Sequence, residues 1–181
     1  MLAAVLSAIA VAAPPEINLV DGRVIQLSGR PATVVVFISH DCPIANDSQP
    51  ALERAYQRFK SKAVAFVGVY IDPRLTARGA AAHKKEYGFS YDQSVDTRHA
   101  LVGYLKATVT PEAFVLDRSG KVCYRGRIND MYNDLGSRKA KVTTNDLEDA
   151  IAAVVAGKAP KTARTKAHGC VIPELKDFAG L

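Results

Sequence analysis

The chain has 181 residues, of which 48% are hydrophobic, so it can bury the core of one domain with ordinary extensions. Its formal net charge is +6, and four basic residues stand near the C-terminus with no acid between them, namely Lys158, Lys161, Arg164 and Lys166. No aromatic residue interleaves with this cluster. The pattern therefore argues against nucleic-acid binding, and the basic cluster is interpreted as a solvated tail first and as a docking patch second.

The first thirteen residues, MLAAVLSAIAVAA, are small and apolar, and Ala10-Val11-Ala12 resembles a signal-cleavage site. The run is too short to span a bilayer and is typical of a secretory signal, although no lysine or arginine opens it. We therefore expect an exported protein, periplasmic or extracellular, that is not transmembrane after signal removal. The three cysteines would then lie in a compartment where disulfides persist.

Residues 14–157 alternate predicted strands and helices. Asp21-Gly22 predicts a hairpin, and the apolar run Val34–Ile38 is typical of a buried strand. A helix follows from Pro43 to about Phe59, and Pro50 should kink it. The later elements are a strand over 63–71, a helix over 76–87 ended by Gly88, a short helix capped by Asp96, two antiparallel strands over 112–116 and 122–127, and a helix from 144 or 145 to Gly157. This order predicts an α/β sandwich, followed by an extended tail over 158–181.

Cys42 lies where the apolar run ends and the helix begins. Pro43 suits the first position of a helix, so the Cys42 sulfur should face unpaired amides that favour the reactive thiolate. Asp41 opposes this activation, because a neighbouring negative charge raises the pKa of a thiol. Cys42 is the candidate nucleophile.

Three features resemble the thioredoxin superfamily over residues 17–157: the strand–cysteine–proline–helix junction, Pro50 eight residues after Cys42, and Thr110-Pro111 just before the segment EAFVLD. The resemblance implies a three-layer α/β sandwich with a central mixed β-sheet flanked by helices. It also implies a cis peptide bond at Pro111, packed against Cys42, and a Thr110 backbone able to pair with an extended substrate.

The departures from thioredoxin point to the redoxin (alkyl hydroperoxide reductase/thiol-specific antioxidant) group, of which the chain resembles a divergent exported member. Ala45 stands where thioredoxins carry a second cysteine, whereas Ser39 stands three residues before Cys42, as a hydroxyl residue does in peroxiredoxins. Val35 replaces a proline of that group. The resemblance implies that Ser39 assists Cys42 or orients the substrate, together with a downstream arginine, for which Arg127 is our candidate beside Arg125.

Cys170 lies in a small apolar segment, His168-Gly169-Cys170-Val171-Ile172, inside a polar tail. It is either a free or structural cysteine, or a resolving thiol that the folded-back tail brings to Cys42. The second hypothesis predicts Cα atoms about 4.4–6.8 Å apart. Cys123, within a predicted strand, is assigned a structural role, and His83 and His99 are placed on helix surfaces without a role.

The sequence thus predicts a thiol oxidoreductase that needs no cofactor and takes a peroxide or a protein disulfide or thiol as substrate, with an unidentified thiol reductant. Cys42 and Cys170 carry the chemistry, helped by Ser39, and Thr110, Pro111 and Arg127 contact the substrate. The alternative is zinc or copper binding by a Cys₂His₂ set of His40, Cys42, His168 and Cys170. A binding module without redox activity is a third hypothesis, against which an exposed Cys42 would argue.

Overall fold

A computed structural model describes residues 14–178, so the signal-like segment lies outside the described residues. The strands are β1 (Ile17–Asn18), β2 (Val24–Ile25), β3 (Ala32–Ile38), β4 (Ala65–Tyr70), β5 (Asp92–Val95), β6 (Val109–Thr110), β7 (Glu112–Asp117), β8 (Val122–Gly126), β9 (Tyr132–Asp134), β10 (Ser137–Arg138) and β11 (Cys170–Val171). The helices are α1 (Pro43–Asp47), α2 (Gln49–Phe59), α3 (Ala77–Tyr87), α4 (Ala100–Leu105) and α5 (Asp146–Val155). Within the described part of the chain, no helix is long and apolar enough to cross a membrane.

The centre of the molecule is a mixed five-stranded sheet in the order β5-β4-β3-β7-β8. Strand β3 lies in the middle, parallel to β4 and antiparallel to β7. All seven of its residues are buried, as its unbroken apolar sequence predicts for a strand covered on both faces. The ends of β3 and β7 that meet at Phe37 and Glu112 lead directly to Cys42 and from Pro111, which brings these two residues to one edge of the sheet.

Two apolar cores cover the two faces of this sheet. Because side chains alternate along a strand, Val34, Val36 and Ile38 pack with residues of α2, α3 and α5 on one face. On the other face, Val35 and Phe37 pack with residues of β1, β2 and α4. The predicted three-layer α/β sandwich with a mixed central sheet is therefore confirmed.

The helix after Cys42 differs from the single kinked helix that the sequence predicts. The helical segment is divided at Ser48 into α1 and α2, and Pro50 lies in the first turn of α2. A proline at this position lacks only an amide that would be unpaired anyway, so the chain can start a new helix at little cost. Cys42 therefore heads a helix of only five residues.

The structure differs from the sequence-based predictions in three details. Strand β5 was not predicted, because its sequence Asp-Gln-Ser-Val lacks an apolar run, yet it pairs in parallel with β4 at the edge of the sheet. His83, expected on a helix surface, is only 5% exposed and packs against the rings of Tyr70 and Phe89. His99 precedes α4 with a left-handed backbone and bonds to the carbonyl of Ile71 through its ring.

The tail after α5 runs back across the sheet edge. The amide of Arg125 donates to the carbonyl of Ala163, and the amide of Thr165 donates to the carbonyl of Arg125. Further on, β11 pairs antiparallel with β6. Main-chain hydrogen bonds thus hold the tail beside strand β8 and then over the ends of β3 and β7, where Cys42 and Pro111 lie.

Candidate functional site

Cys42 and Cys170 form a disulfide, with their Cα atoms 6.1 Å apart and a separation of 128 positions along the sequence. The distance falls in the range predicted for a tail that folds back. The two cysteines differ in exposure, since Cys42 is 1% exposed whereas Cys170 lies on the surface. The expectation of an exposed Cys42 is wrong, because the tail that carries Cys170 covers it.

Cys42 occupies the capping position of α1 with Pro43 directly after it. The amide of Asn46 donates to the Cys42 carbonyl at 3.0 Å, which closes the first turn of the helix. The Cys42 sulfur lies 3.2 Å from the carbonyl oxygen of Thr110. When the disulfide is reduced, a thiol at this place can donate to that carbonyl, and a hydrogen bond from the protonated form opposes ionisation. The helix amides and the Thr110 carbonyl thus act on the Cys42 thiol in opposite directions.

The peptide bond between Thr110 and Pro111 is cis, as the resemblance implies. Thr110 belongs to β6, in which it lies opposite Cys170, while Val109 lies opposite Val171. The amide of Ile172 extends this pairing by donating to the carbonyl of Thr108 at 3.0 Å. The tail therefore crosses the site as an extended peptide whose cysteine reaches Cys42.

Gly169 allows this close crossing. A Cβ atom at this position would collide with the carbonyl group of Thr110. Only glycine lets the two backbones approach so closely, which explains the glycine directly before Cys170. The sequence showed this glycine, but only the fold reveals what it faces.

Ser39 and the two arginines make other contacts. The Ser39 hydroxyl donates to the carboxylate of Asp41. Arg127 forms an ion pair with Asp146 at 2.8 Å, and Arg125 forms one with Glu112. Arg127 also borders a small cleft that Pro111 and His168 line, so it lies near the site with its guanidinium group engaged. The structure brings Cys42, Cys170, Thr110 and Pro111 together, while Ser39 and Arg127 are engaged with carboxylates beside them.

The Cys₂His₂ alternative receives no support. Within residues 14–178, no group of three or more histidine, cysteine, aspartate or glutamate side chains is arranged to hold a metal ion. The two cysteines bond to each other, and His168 lies 3.8 Å from Asp134. His40 has its Nδ1 atom buried among other residues, without a hydrogen-bond partner in the described structure.

A buried chain of hydrogen bonds supports the Cys42 loop, and the sequence did not reveal it. Gln93 donates to the Tyr70 hydroxyl, which lies 2.7 Å from Nδ1 of His83. Nε2 of His83 lies 2.9 Å from the side-chain oxygen of Asn46, whose amide group donates to the carbonyl of His40. Each bond is satisfied when the neutral histidine carries its proton on Nε2. The chain thus fixes both ends of the loop around Cys42.

The ionisation of these groups follows from their burial. Burial lowers the pKa of His83, the neighbouring His40 lowers it further, and Glu86 opposes this with a smaller effect. Burial likewise raises the pKa of the Tyr70 hydroxyl well above its usual value. Both groups are therefore held neutral near pH 7, which preserves the direction of the hydrogen bonds.

Cys123 is the remaining cysteine and is free and half-buried in β8. Burial raises the pKa of its thiol, and the negative charge of Asp117 adds to this effect. A thiol with a raised pKa is a poor nucleophile, which agrees with the structural role predicted for it.

Two solved structures are similar to this chain over most of its length. A hypothetical protein from Sinorhizobium meliloti shares 27% identity with a TM-score of 0.75, and the match covers 89% of this chain and 91% of the other. An uncharacterized conserved protein from Geobacillus kaustophilus shares 26% identity with a TM-score of 0.73, covering 89% of each chain.

A secreted disulfide oxidoreductase from Mycobacterium tuberculosis is a more distant match, with 16% identity and a TM-score of 0.54. The match covers 80% of this chain and 96% of the other, and at this identity it supports the fold alone. No curated protein matches the chain. The Redoxin family matches residues 13–144, which is more than half of the chain. With its thioredoxin-like fold and its Cys42–Cys170 disulfide, the chain belongs to the Redoxin family and is a thiol oxidoreductase.

Proposed function

We propose that the protein carries out thiol–disulfide exchange with polypeptide partners, with Cys42 as the nucleophile and Cys170 as the resolving thiol. The observation that carries this proposal is the antiparallel pairing of Cys170–Val171 with Val109–Thr110 beside cis Pro111. The tail lies there as an extended, cysteine-bearing peptide, so a partner segment of the same kind fits the same strand edge once the tail is released.

In the reduced protein, the Cys42 thiolate attacks one sulfur of a partner disulfide. A bond forms between Cys42 and that sulfur, and the other partner sulfur leaves as a thiolate. The Cys170 thiolate then attacks the Cys42 sulfur, so that the partner sulfur bound to Cys42 leaves as a thiolate and the Cys42–Cys170 disulfide forms. Two electrons pass from the protein to the partner.

Exposure suggests which sulfur an external thiol attacks when the disulfide is reduced. Cys42 is buried and Cys170 lies on the surface, so a thiolate from outside reaches the Cys170 sulfur first. Cys42 is then the leaving group, and the amides at the start of α1 stabilise its negative charge. The resulting mixed disulfide at Cys170 is resolved by a second thiol of the reductant.

Disulfide exchange suits this site better than peroxide reduction. A peroxide site needs a hydroxyl group and a cation free to orient the peroxide, whereas Ser39 donates to Asp41 and Arg127 pairs with Asp146.

We also propose that the protein works after export. The signal-like residues 1–13 and the disulfide support this, since disulfides persist outside the reducing cytoplasm.

The test uses reduced protein and a peptide that carries its cysteine in a disulfide with a small thiol. With Cys170→Ser, the peptide should remain attached to Cys42 in a stable mixed disulfide, which mass spectrometry locates. The parent protein should release the peptide thiol and end with the Cys42–Cys170 disulfide. Cys42→Ser should form no adduct at position 42 and should react with the peptide more slowly than Cys170→Ser, and Cys123→Ser should behave as the parent.

A parallel assay supplies hydrogen peroxide in place of the peptide. Peroxide consumption that is much faster than peptide exchange would replace this proposal with a peroxidase function. A peptide that attaches only to Cys123 would contradict the assignment of Cys42.

A further inference from the structure

A wide cleft of about 790 Å³ lies beside the strand edge that pairs with Cys170. Thr108 and Val109 form part of its wall, and the tail residues 164–167 form another part. Val109 lies opposite Val171, one position from the pair of Thr110 and Cys170, so the cleft lies near the disulfide. Four cations and one carboxylate line it: Lys106, Arg125, Arg164, Lys166 and Glu112.

The path of the tail places two of these cations. Main-chain hydrogen bonds attach residues 163–165 to Arg125, and the Tyr124 hydroxyl lies 2.7 Å from Oγ1 of Thr165. Gly126 has a φ of +147°, and a Cβ atom on it would collide with Thr165, so this contact is as close as the backbone permits. Arg164 and Lys166, on either side of Thr165, are therefore held at the cleft instead of lying on a solvated tail.

The positive charge of the cleft is not neutralised from within. Glu112 is paired with Arg125. The other three cations, Lys106, Arg164 and Lys166, are exposed, and no carboxylate in the described range 14–178 forms an ion pair with them. Three positive charges thus line one concavity beside the exchange site, which attracts a ligand with several negative charges.

We propose that this cleft docks an acidic segment of the polypeptide that exchanges with the Cys42–Cys170 disulfide. The inference rests on the proposed function and adds the charge that the partner must carry near its cysteine. A partner whose cysteine reaches the exposed Cys170 can place its flanking residues in the nearby cleft, where Asp or Glu side chains meet the three free cations. No aromatic side chain lines the cleft, so it lacks the stacking surface that single-stranded nucleic acids use.

The expected effect is on the rate of encounter. Complementary charge in a cleft raises association rates by about 10–10³-fold at low ionic strength. Salt screens such an interaction, because the Debye length falls from about 30 Å at 0.01 M to about 3 Å at 1 M. A docking role therefore predicts a rate advantage for acidic partners that high salt removes.

The test measures how fast three synthetic peptide thiols reduce the oxidised protein. The cysteine of each peptide is flanked by Asp and Glu, by Ser and Gly, or by Lys and Arg. One peptide thiolate attacks the Cys170 sulfur and displaces the Cys42 thiolate, and a second peptide thiolate then releases Cys170 and leaves a peptide disulfide. Each rate is divided by the rate of the same peptide with an uncharged small disulfide, which removes differences in thiol pKa.

The acidic peptide should react about tenfold faster than the neutral one at ~0.02 M salt and lose its advantage at ~0.5 M salt. The variant Lys106→Ser/Arg164→Ser/Lys166→Ser should lose the advantage at low salt too. A matched control, Arg118→Ser/Lys121→Ser/Lys158→Ser, removes the same charge from exposed residues outside the cleft and should keep it.

The outcomes separate the two proposals. If all peptides reduce the protein equally well, or if the control variant loses the advantage as the cleft variant does, acidic docking is wrong and the proposed exchange function stands. If no peptide thiol reduces the disulfide, both proposals are wrong.

Discussion

Loss of the Cys42–Cys170 disulfide should destabilise the protein and release its tail before the core unfolds. The disulfide joins residues 128 apart, and closing a loop of that length removes chain entropy worth about 5 kcal/mol from the unfolded state. Reduction, or Cys170→Ser, should therefore lower the free energy of unfolding by up to about 5 kcal/mol, measured by urea denaturation. Cys123→Ser leaves the disulfide intact and serves as the control.

The tail should respond more strongly than the body. Apart from the disulfide, the last described residues are held mainly by a short antiparallel pairing with β6 and by the packing of Ile172 and Phe178. Each hydrogen bond of such a ladder contributes about 0.5–1.5 kcal/mol, so the reduced tail can open locally. Hydrogen exchange should show loss of protection at the Ile172 amide, which donates to Thr108, while β3 amides stay protected. Equal protection of Ile172 before and after reduction would refute the account of a tail held by its disulfide.

Three further predictions concern residues around the site. Asp130 is buried, and burial alone would raise the pKa of its carboxyl, but hydrogen bonds from Lys139 and the residues before α5 hold it well below its usual range. Its contribution to stability is therefore present above about pH 4 and is lost as the pH falls. Asp130→Asn should lower the free energy of unfolding by about 2–4 kcal/mol at pH 7, measured by urea denaturation, and should weaken the dependence of that free energy on pH in the acid range. Because the pKa of His83 is lowered in the folded protein, the free energy of unfolding should also fall as the pH drops through about 6.5. His83→Gln should remove this part of the pH dependence, and an unchanged pH dependence would contradict a neutral His83. Gly169→Ala should force the tail from the Thr110 carbonyl and make the disulfide several-fold faster to reduce by dithiothreitol, whereas an unchanged rate would show that the close approach is unnecessary.

The sequence was informative wherever local chemistry decides the structure. Apolar runs located β3, β4 and β7, because a strand buried on both faces needs such runs. Asp21-Gly22 located the first hairpin, and Gly88 has the left-handed backbone expected of a residue that ends a helix. The thioredoxin resemblance located the cis bond at Pro111, since the family uses that proline for a fixed purpose.

The sequence was uninformative where tertiary contacts decide. In strand β5, the side chain of Gln93 donates to the Tyr70 hydroxyl and that of Ser94 to the carbonyl of Asn18, so polar residues fill the strand and no hydrophobic period marks it. The burial of His83 depends on Asn46, 37 residues away, which no local pattern reveals. The apolar segment around Cys170 indicated a docked tail, but its partner strand β6 is two residues long and has no recognisable signal of its own.

The candidate site shows the same division. Cys42, Cys170, Thr110 and Pro111 could be chosen from the sequence because chemistry or the family motif singles them out. The basic residues 164 and 166 could not be assigned to a cleft, since only the hydrogen bonds between Arg125 and the tail place them there. The roles of Ser39 and Arg127 stay predictions.

The central claim is that Cys42 and Cys170 form a reversible redox couple. A titration in buffers of defined dithiol–disulfide ratio, with mass mapping of alkylated cysteines at each point, tests it most directly. The account predicts that Cys42 and Cys170 change together in one two-electron step, at a potential above about −300 mV, while Cys123 remains a thiol throughout. A disulfide that resists reduction below that potential, or a pairing that includes Cys123, would mark the Cys42–Cys170 bond as a structural staple and contradict the account.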